Sequence, residues 1–312
     1  MIFSRVISRS LSLALLASLM ACQVPQQAYP GMMSPQMNPQ FNAMTRMQAR
    51  SAAPGMLSQP GGLAQLLPLL RHIYQKDFAD ALENGQPLPD IQPILEQHGP
   101  AAFALLSQDR SAREELYPMS DQMVLKEFSK PSSPDSVPPI SAQELQDLSS
   151  RLQPGDVILC GNNGSFIHGA LYIGNGEIVH ALAVDSATPG RLRGVVREAL
   201  STYTRRVERD TFVVLRAQAQ PAALQQAIRF AAQQVGKPYD SLFLNASDER
   251  YYCTELVWQA LRQMPGAPRV YPNHVRFGWQ MVTVEDLMDS PDLQTIWERN
   301  YRRPAPGQRH RY

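Results

Sequence analysis

Two short apolar runs, residues 166–173 and 177–183, flank Gly174-Asn175-Gly176, and each carries one histidine, His168 and His180. Glycine and asparagine tolerate the left-handed backbone of tight turns, so this segment predicts a β-hairpin. The hairpin constrains more than local shape. Side chains alternate between the two faces of a strand, so a one-residue slip in register sends a whole strand's side chains to the other face. A two-residue loop would put His168 and His180 on opposite faces. A three-residue Gly174-Asn175-Gly176 loop sets His168 opposite Leu182 and makes His180 its diagonal neighbour on one face, within reach of ring contact. Gly176 suits the left-handed residue that ends such a loop, so this register is the expectation.

The surroundings of the hairpin add strands and helices in groups. Gly155-Asp156-Val157-Ile158-Leu159 is a short apolar strand after a Pro-Gly turn, and residues 194–197 and 211–216 read as further strands. Pro221 stands at the first turn of a helix carrying Leu224, Ile228, Ala231 and Val235, stopped by Gly236. Upstream, Ser141 with Glu144 three residues later forms a capping box for a helix. Grouped strands and helices argue for an α+β domain, a small antiparallel sheet packed on helices, over 141–300. Residues 63–130 read as a helical segment: Leu63, Leu66, Leu67, Leu69 and Leu70 lead into Ile73, and Pro87, Pro93 and Pro100 separate short helices. His72 and His98 stand alone there, without a partner at metal-ligand spacing. Residues 131–140 form a linker by composition.

After a Pro238-Tyr239-Asp240 turn, a second helix begins at about Tyr252 in Tyr251-Tyr252-Cys253-Thr254-Glu255. Leu256, Val257, Ala260, Leu261 and Met264 give it one apolar stripe. Cys253 lies in its first turn, where unpaired N–H groups and the helix dipole favour a thiolate. His168 would be the base, and a neutral His180 would accept the proton on one His168 nitrogen, leaving the other to serve the sulfur. Three readings compete with this one. Cys253 is a small buried hydrophobe on the stripe; Cys160 and Cys253 form a disulfide; or the two histidines and Cys253 hold zinc, although no fourth ligand stands at a suitable spacing. His274, in Tyr271-Pro272-Asn273-His274, is a rival third group, and a structural role suits its turn better. Tyr172 and Tyr252 are candidate substrate-binding residues, and with Phe166, Tyr251 and Trp258 they line a cleft or fill the core.

The N-terminus is not fold material. Arg5 and Arg9, an apolar run over 11–20 and Leu19-Met20-Ala21-Cys22 form an export signal over residues 1–21, too short for a membrane span. Residues 22–62, rich in Gln, Pro, Met, Ala and Ser, cannot bury enough apolar surface to order themselves and read as a tether. Lys plus Arg (29) nearly balances Asp plus Glu (28), so no overall field points to nucleic acid. Residues 301–312 are a basic tail.

Several of these motifs together resemble known proteins. The segment 155–159, then His168-Gly169-Ala170-Leu171-Tyr172-Ile173-Gly174, then Gly236-Lys237-Pro238-Tyr239-Asp240, then Tyr252-Cys253-Thr254-Glu255-Leu256-Val257 resemble the permuted papain-like enzymes of the YaeF/YiiX type. Those are relatives of NlpC-type cell-wall hydrolases in which the His-bearing strands precede the Cys-bearing helix. The His-to-His spacing is also similar to that of lecithin retinol acyltransferase. The resemblance spans about 150–290. It implies a cysteine amidase or peptidase with Cys253 as nucleophile, His168 as base and His180 as orienting group, no cofactor, and Asp240 and Glu255 as structural residues. Leu19-Met20-Ala21-Cys22 resembles a bacterial lipobox, which implies a lipid on Cys22 and a place in the cell envelope; Gln23 after it points to the outer membrane. The implied substrate is a cell-wall peptide or N-acyl amide. A thioesterase or acyltransferase acting on lipid acyl groups, and a non-catalytic envelope-binding lipoprotein, remain as alternatives.

Overall fold

In this computed structural model the described residues are 68, 102, 104–128, 139–162, 165–185, 189–205, 209–245, 248–272, 274–276 and 279–301. The expected signal, Cys22, the tether, His72, His98, nearly all of the linker and the basic tail after residue 301 lie outside them. Among the described residues no helix is long and apolar enough to cross a membrane.

The strands are β1 (Val157–Asn162), β2 (Ser165–Gly174), β3 (Glu177–Leu182), β4 (Gly194–Ala199), β5 (Thr211–Ala217), β6 (His274–Arg276), β7 (Trp279–Met281) and β8 (Leu293–Arg299). Six of them form one antiparallel sheet in the order β4-β3-β2-β1-β5-β8, while β6 and β7 pair separately. The helices are α1 (Arg110–Phe128), α2 (Ala142–Arg151), α3 (Leu200–Thr204), α4 (Pro221–Gln233), α5 (Cys253–Leu261) and α6 (Val284–Met288). Alternation along each strand divides the sheet's side chains between two cores. Val157, Leu159, Leu171, Val179, Val213 and Leu215 join the larger core with residues of α1, α4, α5 and α6. On the opposite face Ile158, Cys160, Ala170, Tyr172, Ile178 and Phe212 pack with Leu148 of α2 and with Leu200 and Tyr203 of α3. This is the α+β architecture expected from the sequence.

The hairpin reaches its expected register by a different route. Leu171 pairs with Val179 and Tyr172 with Ile178, then the register shifts so that Gly174 faces Glu177. The loop is therefore the two residues Asn175 and Gly176, both left-handed at φ 54° and 73°, the backbone whose twist matches paired strands. The additional residue sits inside β2 as a bulge at Ile173-Gly174, with Gly174 at φ 97°. A bulge inserts one residue into one strand only, so it restores the face that a two-residue loop would have reversed.

Helix α1 was expected in a segment apart from the domain, but it shares the domain's core. Leu116 is fully buried, the Tyr117 hydroxyl donates to Asp240 Oδ1 at 3.2 Å, and the Ser120 hydroxyl donates to the Ser241 carbonyl at 2.7 Å. Arg250 sits 3.8 Å above the Tyr117 ring and pairs with Asp121 at 3.1 Å. Composition marks the linker after this helix, but it does not reveal where the helix docks. The Asp156 carboxylate ties β1 to β5 by accepting two hydrogen bonds from the Arg216 guanidinium, at 2.8 and 2.7 Å.

Strand β4 closes one edge of the sheet through a tight approach at its first residue. Val195 N–H donates to the Lys237 carbonyl at 2.8 Å and Gly236 N–H to the Val195 carbonyl at 2.9 Å. At Gly194, φ is 84° and a Cβ would meet the Lys237 carbonyl oxygen at 2.2 Å. Gly194→Ala is expected to destabilise the domain by about 2 kcal/mol or more, from backbone strain plus the clash. Chemical denaturation of the two proteins measures the difference, and an unchanged midpoint would refute the tight approach.

Candidate active site

The register brings the two histidines together. On it His168 and His180 share the face of Cys160, Ala170 and Ile178, and His168 Nε2 lies 2.7 Å from His180 Nδ1 with the rings at 87°. His180 is fully buried and His168 is 8% exposed. Glu198 of β4 joins them. His180 pairs with Val196, so Glu198 two residues on is its diagonal neighbour, and Glu198 Oε1 lies 2.9 Å from His180 Nε2.

The His180–Glu198 pair is a close contact without the alignment of a hydrogen bond. A carboxylate only accepts, so the tautomer of His180 that suits Glu198 has its proton on Nε2. In that tautomer His180 Nδ1 accepts from His168 Nε2, and His168 Nδ1 carries no proton. A tetrahedral zinc at about 2.0–2.1 Å from each nitrogen would hold them more than about 3 Å apart, so the shorter separation is that of a hydrogen bond between the rings.

Cys253 opens α5, with Tyr252 as the extended N-cap residue at φ −94° and ψ 171°. The helix packs on the other face of the sheet through Leu256 and Val257. The sulfur nevertheless meets the histidine strand. Strands β2 and β3 pair from Leu171 to Gly174, and beyond that stretch the first turn of α5 packs on Gly169, where a Cβ would meet Thr254 Cγ2 at 3.5 Å; the Gly169 and Thr254 N–H groups favour the anion of the Cys253 sulfur. The Gly169 nitrogen is bonded to the His168 carbonyl carbon, so a sulfur held there lies beside residue 168. The thiol is also electrostatically coupled to Cys160 and Tyr203 on the histidine face.

Burial pushes the Cys253 thiol up from its ordinary pKa, and the two N–H groups only partly offset this. The helix N-terminus alone was expected to favour a resting thiolate. Burial of the sulfur outweighs it, so the group is held as a thiol.

The remaining candidates divide plainly. Cys160 and Cys253 are both free thiols. Tyr172 and Tyr252, expected at the substrate, serve packing instead. The Tyr172 hydroxyl accepts from the Gly176 N–H at 3.0 Å and braces the turn. Tyr252 is 1% exposed; its hydroxyl accepts from the Val282 N–H at 2.8 Å and donates to Asn245 Oδ1. His274 belongs to β6 of the separate two-stranded sheet. Glu198 had no signal in the sequence, since nothing local says that β4 pairs with β3.

Behind α5 lie two buried acids. Burial, and then the charge of Asp240, hold the Glu255 carboxyl well above the usual range. Burial also raises Asp240 to about 7, against hydrogen bonds from the Leu244 and Leu242 N–H groups and the Tyr117 hydroxyl.

Residues 143–297 match the model of a family described as permuted papain-like amidase enzyme, YaeF/YiiX, C92 family. This domain belongs to that family. Comparison with curated proteins and with solved structures finds no match. Membership makes the domain an amidase or peptidase enzyme, and the open antiparallel sheet packed on helices agrees with a permuted papain-like fold.

The raised Asp240 acid has a consequence for stability. Its folded pKa of about 7 exceeds an unfolded value of about 3.9, so the folded state binds more protons between these values. Its stabilising contribution is complete below about pH 4 and is lost as pH rises through about 7. Asp240→Asn is expected to flatten the fall in stability between pH 4.5 and 7.5, read by denaturation at the two values. An unaltered slope would show that Asp240 titrates normally.

Proposed function

We propose that the domain is a cysteine amidase in which Cys253 is the nucleophile, His168 its base, and His180 with Glu198 the groups that orient that base. The observation that carries this reading is the chain of contacts from Glu198 through His180 to His168, which supports a tautomer with His168 Nδ1 as proton acceptor on the strand that the first turn of α5 meets at Gly169. As the sulfur attacks the amide carbonyl carbon, its proton passes to His168 Nδ1 and the carbonyl π pair moves to oxygen. The Cys253 backbone N–H, at the start of α5, is suited to hold that oxyanion. The intermediate collapses when His168 returns the proton to the amine nitrogen, which leaves and gives a thioester on Cys253. A water molecule, deprotonated by His168, then releases the acid and restores the thiol. The positive charge that His168 carries during both steps is stabilised through His180 by the Glu198 carboxylate.

Location is part of the proposal. Leu19-Met20-Ala21-Cys22 supports lipid attachment at Cys22, and residues 23–62 have the composition of a tether. Such an enzyme would be held at the bacterial envelope, within reach of cell-wall peptides and N-acyl amides.

Cys253→Ala is expected to abolish release of products from purified wall fragments, and His168→Ala to lower the rate by about 10²–10⁴-fold. Glu198→Gln is expected to cost less, on the order of 10–100-fold, because one ring separates it from the base. Product masses identify the bond cleaved. A His168→Ala protein that hydrolyses, and reacts with iodoacetamide at pH 7, as fast as the parent would end the proposal. For the anchor, Cys22→Ser is expected to move the protein from the membrane fraction to the soluble one, and a variant that stays in the membranes rules out lipid on Cys22.

A further inference from the structure

The orienting chain needs a reason to keep its rings in place. A hydrogen bond between two imidazoles is directional, and the second side-chain torsion of histidine is broad and nearly two-fold. A flip of His168 would carry Nε2 away from His180, and a flip of His180 would break both of its contacts. Backbone register sets the Cα positions but not these torsions.

A third ring closes the space. Tyr203 of α3 is fully buried and stands edge-to-face on His180, with centroids 5.2 Å apart and the planes at 79°. The same ring lies tilted against His168 at 5.8 Å and 41°. It is itself fixed on several sides. Its hydroxyl is 3.1 Å from Cys160 Sγ and donates weakly to the Ile158 carbonyl at 3.5 Å. The Arg209 guanidinium sits 4.1 Å from the centroid of the Tyr203 ring and donates to the Tyr203 carbonyl at 3.1 Å.

We propose that Tyr203 is a positioning residue whose flat ring, packed under Arg209, walls in His168 and His180 and keeps them in the one arrangement that joins His168 Nε2 to His180 Nδ1. The inference rests on the proposed catalytic chain but concerns a group that touches no reacting atom. The titratable and charged groups around the ring pair are Glu198 from β4, Cys160 from β1, Cys253 from α5, Tyr203 from α3 and, beyond its ring, Arg209. Cys160 thereby has a purpose that needs no nucleophilic chemistry: it packs under the Tyr203 hydroxyl.

The test compares Tyr203→Phe with Tyr203→Leu in the full chain, by two readouts. One is the pH profile of Cys253 alkylation by iodoacetamide. The other is the downfield proton resonance of the imidazole N–H shared by His168 and His180. Tyr203→Phe keeps the flat wall and is expected to retain the resonance and to stay within about threefold of the parent's alkylation rate at pH 7. Tyr203→Leu is expected to lose the resonance, to react about tenfold more slowly at pH 7, and to approach the profile of an isolated thiol. A folded Tyr203→Leu protein with the parent's resonance and profile overturns the proposal. So does a Tyr203→Phe protein as impaired as Tyr203→Leu, since the hydroxyl rather than the wall would then be responsible. If Tyr203→Leu does not fold, Tyr203→Met fills the volume without a flat face and is held to the same criteria. A parent protein whose Cys253 reactivity ignores His168 would defeat the catalytic reading, whereas the resonance would still report on Tyr203.

Discussion

One inserted residue in β2 governs the geometry of this domain. The Asn175-Gly176 turn has the twist that joins paired strands smoothly. By itself that turn would separate His168 from His180 across the sheet. The bulge at Ile173-Gly174 restores the even register, and with it the 2.7 Å contact between the imidazoles. The cost is a strand that bends and a left-handed Gly174, a conformation that glycine adopts without side-chain strain. Pairing of β2 with β3 then gives way toward His168, and there the sulfur from the opposite layer meets the strand.

The electrostatics of the region follow from burial. Cys253, Glu255 and Asp240 are buried around the start of α5, and burial favours neutral forms. Cys253 is therefore held as a thiol and Glu255 as an acid, and Asp240 is raised to about 7. Glu198 is different: its side chain keeps 15% exposure and faces an imidazole nitrogen. In the proposed mechanism, a chain ending in a partly solvated carboxylate takes up the positive charge on His168 without a permanent ion pair in the core. Buried ion pairs of that kind seldom repay their desolvation.

Support for the site extends beyond the family-matched region. Asp240 sits behind the Cys253 helix and accepts from Tyr117 of α1, a helix that precedes residues 143–297. Arg250, close to the start of α5, is clamped between the Tyr117 ring and Asp121. The domain therefore includes α1 as a part of its core, and Asp240 behind the Cys253 helix takes part of its environment from it.

Much of this was legible in the sequence, where the determining forces are local. Turn residues, the alternation of apolar side chains and the helical stripe after Cys253 each act within a few positions, so β1 to β5, helices α2, α4 and α5 and the pairing of His168 with His180 followed from reading them, whereas β6 to β8, α3 and α6 did not. Four motifs in order, with Cys253 after the histidines, carried the family resemblance. Other features depended on contacts between distant segments. Glu198 reaches His180 only because β4 pairs with β3; Tyr203 meets both rings only because α3 folds back over them; and the Cys253 thiol is raised because several elements enclose it. The burial of Tyr172 and Tyr252 was likewise decided by packing. Local sequence carries dihedral preference and periodicity, whereas ionisation, ring orientation and enclosure are properties of a packed interior, and only the tertiary structure creates one.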